Sequence, residues 1–144
     1  MSWQQYLIET DADIDRVLRE TRRVAVLGIK TEPHQAAYFV PAYAQRIGLE
    51  IVPVPVYYPE LTEILGQPVF RRLADIPGPV DMVNVFRLPQ DVPRHLDDIL
   101  AKAPRSVWLQ SGIRNDRAAE QLARAGIAVV QDRCLKVELE RFRE

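Results

Sequence analysis

Apolar residues recur along the chain in two alternating patterns. Short runs rich in β-branched residues, at 24–27, 51–55, 80–86, 106–110 and 127–130, have the length of buried strands. Between them apolar residues return every three or four positions, as on one face of a helix. Ile14, Val17 and Leu18 mark a first helix over residues 11–22, with Asp11 or Asp13 as its cap. Ala36, Val40, Tyr43 and Ile47 mark a second, stopped by Gly48. Pro41 either sits in the first turn of that helix, which then starts near Tyr38, or kinks a longer one. Val92, Leu96, Ile99, Leu100 and Ala103 share the face of a third helix, stopped by Pro104. Asn115 caps a fourth over residues 116–125, ended by Gly126, and a charged helix closes the chain.

Strand and helix alternate with no repeat, low-complexity run or linker. That order predicts a parallel sheet covered by helices on both faces. The expected α/β fold is one Rossmann-like, doubly wound domain over residues 1–144, with an N-terminal helical segment at 1–22 and a C-terminal helix at 135–144. The expected strand order is 3-2-1-4-5-6, with the short segment 68–70 as the third strand.

A chain of 144 residues, 47% hydrophobic and 27% charged, has the composition of an ordinary globular domain. A formal net charge of −1 gives no global pull toward nucleic acid or a membrane surface. One cysteine excludes an intrachain disulfide and a paired-cysteine zinc site. The start, Met1-Ser2-Trp3-Gln4-Gln5, carries neither the basic nor the apolar part of a signal peptide. No apolar run approaches the roughly 18 residues of a membrane span. The expectation is a cytoplasmic protein, with its oligomeric state open.

In doubly wound sheets a ligand sits beyond the carboxyl ends of the strands, where their order reverses. Here that point lies between Gly28 and Phe86. The first strand runs into Gly28-Ile29-Lys30, and a helix follows whose N-terminus would offer N–H groups to an anion. Basic residues recur on the same rim: Lys30 and His34 after the first strand, Arg87 after the 80–86 strand, Arg114 after the next, and Arg133 and Lys136 after the last. The rim suits an anionic ligand with phosphate-type groups.

A nicotinamide dinucleotide fits poorly. The turn after Gly28 lacks the second and third glycines of that fingerprint, and Pro55-Val56-Tyr57-Tyr58 stands where an acid would hold the ribose. A Walker loop is absent. Catalytic groups are sparse. His34 is a lone loop histidine, and His95 lies among charges on a helix expected at the surface. Ser111 lacks the flanking glycine of a nucleophile elbow. Cys134, beside Arg133, is expected to be a packed thiol. Asp81 and Asn84 are expected to pair with backbone or neighbouring helices, and Trp108 and Phe86 to be core.

Four stretches together resemble the small stand-alone CoA-binding domain family, itself similar to the CoA-binding domain of the succinyl-CoA synthetase alpha subunit. They are Val24-Ala25-Val26-Leu27-Gly28; Val80-Asp81-Met82-Val83-Asn84-Val85-Phe86-Arg87; Val107-Trp108-Leu109-Gln110-Ser111-Gly112-Ile113; and Asp132-Arg133-Cys134. The resemblance implies a Rossmann-like fold and a cleft for CoA or an acyl-CoA. It implies phosphates near Gly28, Ile29 and Lys30, and an adenosine end near Pro55, Val56 and the loop Phe86, Arg87, Leu88, Pro89. Gly112 and Arg133, in the other matched stretches, complete the candidate contacts. Two departures stand out. Val54-Pro55-Val56 replaces the usual Val-Asn-Pro, and Lys30 and Gln35 stand where the family has a serine turn and a loop arginine.

Three readings follow. The first is a module that binds CoA or acyl-CoA without a reaction of its own, favoured by the lack of acid–base pairs. The second is a Rossmann-fold enzyme on a nucleotide-linked substrate. The third is an interaction domain that has lost its ligand, which the Pro55 departure would fit.

Overall fold

The computed structural model describes residues 2–143. Its strands are β1 (Arg23–Leu27), β2 (Glu50–Val54), β3 (Glu63–Ile64), β4 (Gln67–Pro68), β5 (Met82–Val85), β6 (Ser106–Leu109) and β7 (Ala128–Val130). Its helices are α1 (Asp11–Arg19), α2 (Ala36–Arg46), α3 (Leu96–Lys102), α4 (Asp116–Arg124) and α5 (Leu135–Phe142), with 3₁₀ turns at Trp3–Tyr6, Leu73–Asp75 and Pro89–His95.

Five strands form one parallel sheet in the order β2-β1-β5-β6-β7. The pleat sends alternate residues to opposite faces. Ala25, Leu27, Val52, Val85 and Leu109 point to the side covered by α3 and α4, where Ile99 and Leu122 are buried. Val24, Val26, Ile51, Met82 and Trp108 point to the side covered by α1, α2 and α5, through Ile14, Val40 and Leu135. Both faces are therefore dry, which is why the strands read as continuous apolar runs. Trp108 is fully buried, and its indole N–H is satisfied by the Arg133 carbonyl at 2.8 Å.

The expected order 3-2-1-4-5-6 needs correction at its third strand. Residues 63–68 form a separate antiparallel hairpin, β3 with β4. Segment 68–70 touches the main sheet through one backbone hydrogen bond, Phe70 N–H to the Pro53 carbonyl at 3.0 Å. Proline explains this. The backbone of Pro53 faces the outer edge of β2 and has no N–H to return, and Pro68 lacks one too, so a ladder cannot propagate. The opposite edge gains an unforeseen contact: Ile8 N–H donates to the Val129 carbonyl at 2.9 Å, beside a bridge from Leu7.

The third helix also differs. Residues 89–95 wind as a 3₁₀ turn and become α-helical only from Leu96, because Pro89 and Pro93 supply no N–H. The apolar spacing survives, with Val92, Leu96 and Ile99 buried. Thr10, not Asp11 or Asp13, caps α1, accepting from the Asp13 N–H at 3.2 Å. Asn115 caps α4 as expected, accepting from the Ala118 N–H at 3.0 Å.

Candidate functional site

Strands β1 and β5 are neighbours, and their connections leave to opposite faces of the sheet, α2 to one and α3 to the other. The ladder runs one residue past each strand end. Gly28 N–H donates to the Val54 carbonyl at 2.8 Å, and Phe86 N–H to the Leu27 carbonyl at 2.9 Å. The two chains then part and leave a cleft of about 550 Å³. Gly28 forms its floor with φ at +88°, and a β-carbon there would lie 2.3 Å from the Phe86 carbonyl oxygen. The close approach of β1 to β5 thus requires glycine by itself.

The wall on the α2 side is a helix N-terminus. Gln35 occupies the cap position without a side-chain cap, and Gln35, Ala36 and Ala37 line the cleft. The Ala36 and Ala37 N–H groups have no intrahelical acceptor, whereas the Tyr38 N–H already donates to the Gln35 carbonyl at 2.9 Å. The buried Oε1 of Gln35 has no hydrogen-bond partner among the described residues. Pro41 lies inside the helix, which settles its place in favour of the longer helix. Pro41 cannot donate to the Ala37 carbonyl one turn back. That carbonyl instead accepts from the backbone N–H of Lys30 at 3.1 Å, so the proline frees the group that pins the Lys30 loop onto α2.

Two cations flank the mouth. Lys30 Nζ lies 5.8 Å and the Arg87 guanidinium 6.0 Å from the ring centre of Tyr57, itself 56% exposed. Among the described residues Lys30 makes no ion pair. The Arg87 side chain is only 10% exposed. Its Nε–H donates to Nε2 of His95 at 3.2 Å, and its Nη2 lies 3.8 Å from Asp91. Burial, then the positive charge of Arg87, hold the His95 imidazolium below the ordinary value of 6.5. His95 is therefore half-buried and bonded, not the surface residue its charged neighbours suggested.

The third wall is the segment after β6, where Gln110, Ser111, Gly112 and Ile113 line the cleft. It is tied to its neighbours. Asn115 Nδ2–H donates to the Pro89 carbonyl at 3.0 Å, and Gly112 N–H to Asp132 Oδ1 at 2.7 Å.

Of the residues singled out from sequence, Gly28, Lys30, Phe86, Arg87, Leu88, Pro89 and Gly112 meet around this cleft. Ile29 is 1% exposed and packs under α2. Pro55 is buried and Val56 points to solvent, both off the cleft wall. Arg133 and Cys134 line a neighbouring groove of about 740 Å³ beyond β7. There Arg133 donates to the Glu9 carbonyl at 3.1 Å and lies 3.5 Å from Glu138. His34 is exposed and off the cleft. Asp81 lies at the opposite end of the sheet, where Oδ2 accepts from the N–H groups of Arg22 and Arg23, both at 2.9 Å. Sequence reasoning missed Tyr57, Gln35 and Asp91. The signal for Tyr57 was its place two residues past Pro55, and that for Gln35 its position where the family has a loop arginine; Asp91 left none.

Five parallel strands covered by helices on both faces make this a Rossmann-like, doubly wound α/β domain, with the cleft at the switch point of its sheet. The chain belongs to the CoA-binding domain family, which it matches over residues 22–140. It is 34% identical to the Bacillus subtilis (strain 168) protein YneT over 126 residues, 88% of this chain and 91% of that one. A solved Thermus thermophilus protein, cell-free ID.343, superposes with a TM-score of 0.85 at 38% identity, covering 93% of this chain and 99% of the other. A dinucleotide-forming acetyl-coenzyme A synthetase 1 from Ca. Korarchaeum cryptofilum shares the fold at 16% identity and a TM-score of 0.65, over 80% of this chain and 27% of that one. No helix among the described residues is long and apolar enough to cross a membrane.

Proposed function

We propose that the protein binds CoA, free or acylated, in the cleft between β1 and β5 and catalyses no reaction on it. The observation that carries this is the convergence of the uncapped N-terminus of α2, Lys30 and Arg87 on one cleft. A diphosphate there would accept from the α2 N–H groups and be neutralised by the two cations. Tyr57 offers an aromatic face beside them for an adenine, where a nicotinamide dinucleotide would need a carboxylate. Family membership supports CoA over other diphosphates. Binding without turnover is supported by the state of His95, which is committed to Arg87 instead of activating Ser111. We take residues 1–144 as one binding unit, since Ile8 and Leu139 both enter the core layer on the face covered by α1, α2 and α5.

A ligand that binds only the folded state raises its melting temperature. CoA and acetyl-CoA should each raise it more than NAD at equal millimolar concentration. A shift with NAD and none with either CoA species overturns the reading.

A further inference from the structure

The contacts of Arg87 assign a role to a residue off the cleft wall. We propose that His95 is a positioning residue for the ligand's diphosphate: its neutral Nε2 holds the Arg87 guanidinium at the cleft mouth. The inference rests on the CoA-binding reading. Arginine has no acceptor and does not lose its proton, so the 3.2 Å contact between Arg87 Nε and His95 Nε2 is a hydrogen bond only while Nε2 is unprotonated. A long side chain that is 10% exposed is thereby fixed at its Nε, with its terminal nitrogens left toward Asp91 and Tyr57.

The groups facing His95 come from three elements. Arg87 belongs to the loop after β5, Asp91 and Arg94 to the 3₁₀ turn, and Asp98 to α3. Asp98 is occupied by the N–H groups of Leu73 and Ala74, at 2.7 and 3.0 Å. Asp91 is shared, 3.8 Å from Arg87 and 3.6 Å from Arg94. Protonating His95 turns its Nε2 into a donor facing a donor. Arg87 then loses its anchor, with Asp91 the nearest carboxylate to draw the guanidinium off the ligand. His95 lies behind Arg87 and outside the cleft lining, so it reaches the ligand only through that side chain.

Dephospho-CoA is the probe, because its diphosphate bridge keeps its charge between about pH 5 and 8, whereas the 3′-phosphate of CoA titrates near pH 6. Wild-type affinity should fall about ten- to hundredfold as pH drops through the His95 titration, the size of one lost charged hydrogen bond. His95→Leu should show the weakened affinity already at about pH 8. His95→Gln keeps an acceptor and should restore the affinity while flattening the pH profile. The chain has two histidines, so NMR can follow each imidazole separately. Binding that is equal in wild type and a folded His95→Leu protein, or that tightens on acidification, overturns the role of His95 alone. Absence of binding of both dephospho-CoA and CoA to wild type at about pH 8 overturns the binding reading and this role with it, and binding of CoA without dephospho-CoA overturns this role alone.

Discussion

Gly28 and Lys30 are two residues apart and do different work. A β-carbon on Gly28 would enter the Phe86 carbonyl oxygen, and its φ of +88° is one that side chains rarely adopt. Gly28→Ala should therefore lower stability by roughly 2–4 kcal/mol through backbone strain and collision. Urea unfolding without ligand reads that effect directly; an unchanged midpoint would mean that β1 and β5 relax apart. The glycine turn that suggests a phosphate site in the sequence is thus already explained by strand packing. Lys30 carries the ligand argument instead. Lys30→Ala should leave the urea midpoint in place and weaken CoA by about 1.5–3 kcal/mol if the ammonium contacts a phosphate. The same loss with dephospho-CoA would put Lys30 on the diphosphate, and a loss confined to CoA would put it on the 3′-phosphate. Calorimetric titration of both ligands separates these outcomes.

At the scale of elements, α2 and the 3₁₀ turn before α3 both owe their form to proline. Pro41 leaves the Ala37 carbonyl to the Lys30 N–H, which joins the turn after β1 to the first turn of α2. Pro41→Ala restores a competing donor and favours the helix by up to about 3 kcal/mol of intrinsic propensity. The expected result is a stability that stays level or rises, with faster hydrogen exchange at the Lys30 amide and weaker CoA binding. Unchanged exchange at Lys30 would show that the loop needs no such tie. Pro93 acts on the other wall. By delaying the α-helix to Leu96 it leaves His95 at the joint between the 3₁₀ turn and α3, within reach of Arg87. The apolar spacing through Val92, Leu96 and Ile99 was legible in the sequence because burial depends on side-chain periodicity. The change of helix type was not, because it depends on which N–H groups are missing.

At the scale of the whole molecule, stability should fall on acidification in a range that His95 sets. Its folded pKa is held below 6.5, by burial first and Arg87 second. Below 6.5 the unfolded chain takes up the proton before the folded one, so unfolding is favoured progressively until pH passes the folded value. Urea midpoints across that range should drop more steeply for wild type than for His95→Gln. Parallel curves would mean that other groups carry the acid sensitivity.

The amino-acid sequence determined what depends on local order: five apolar runs alternating with amphipathic segments, hence a parallel sheet covered on both faces, with its switch point between Gly28 and Phe86. Each run is buried on both sides, and burial writes itself into composition. Tertiary structure decided what depends on partners distant in the chain. The sheet has five strands because Pro53 presents its missing N–H at the edge where a sixth would pair. Arg133 follows the last strand as Arg87 follows β5, yet β7 is two strands away from β5, so its side chain serves another groove. Tyr57 stands between Lys30 and Arg87, and His95 behind Arg87, through loops that no periodicity describes. Pattern reports how much of a residue is buried, whereas the site is made of which residues meet.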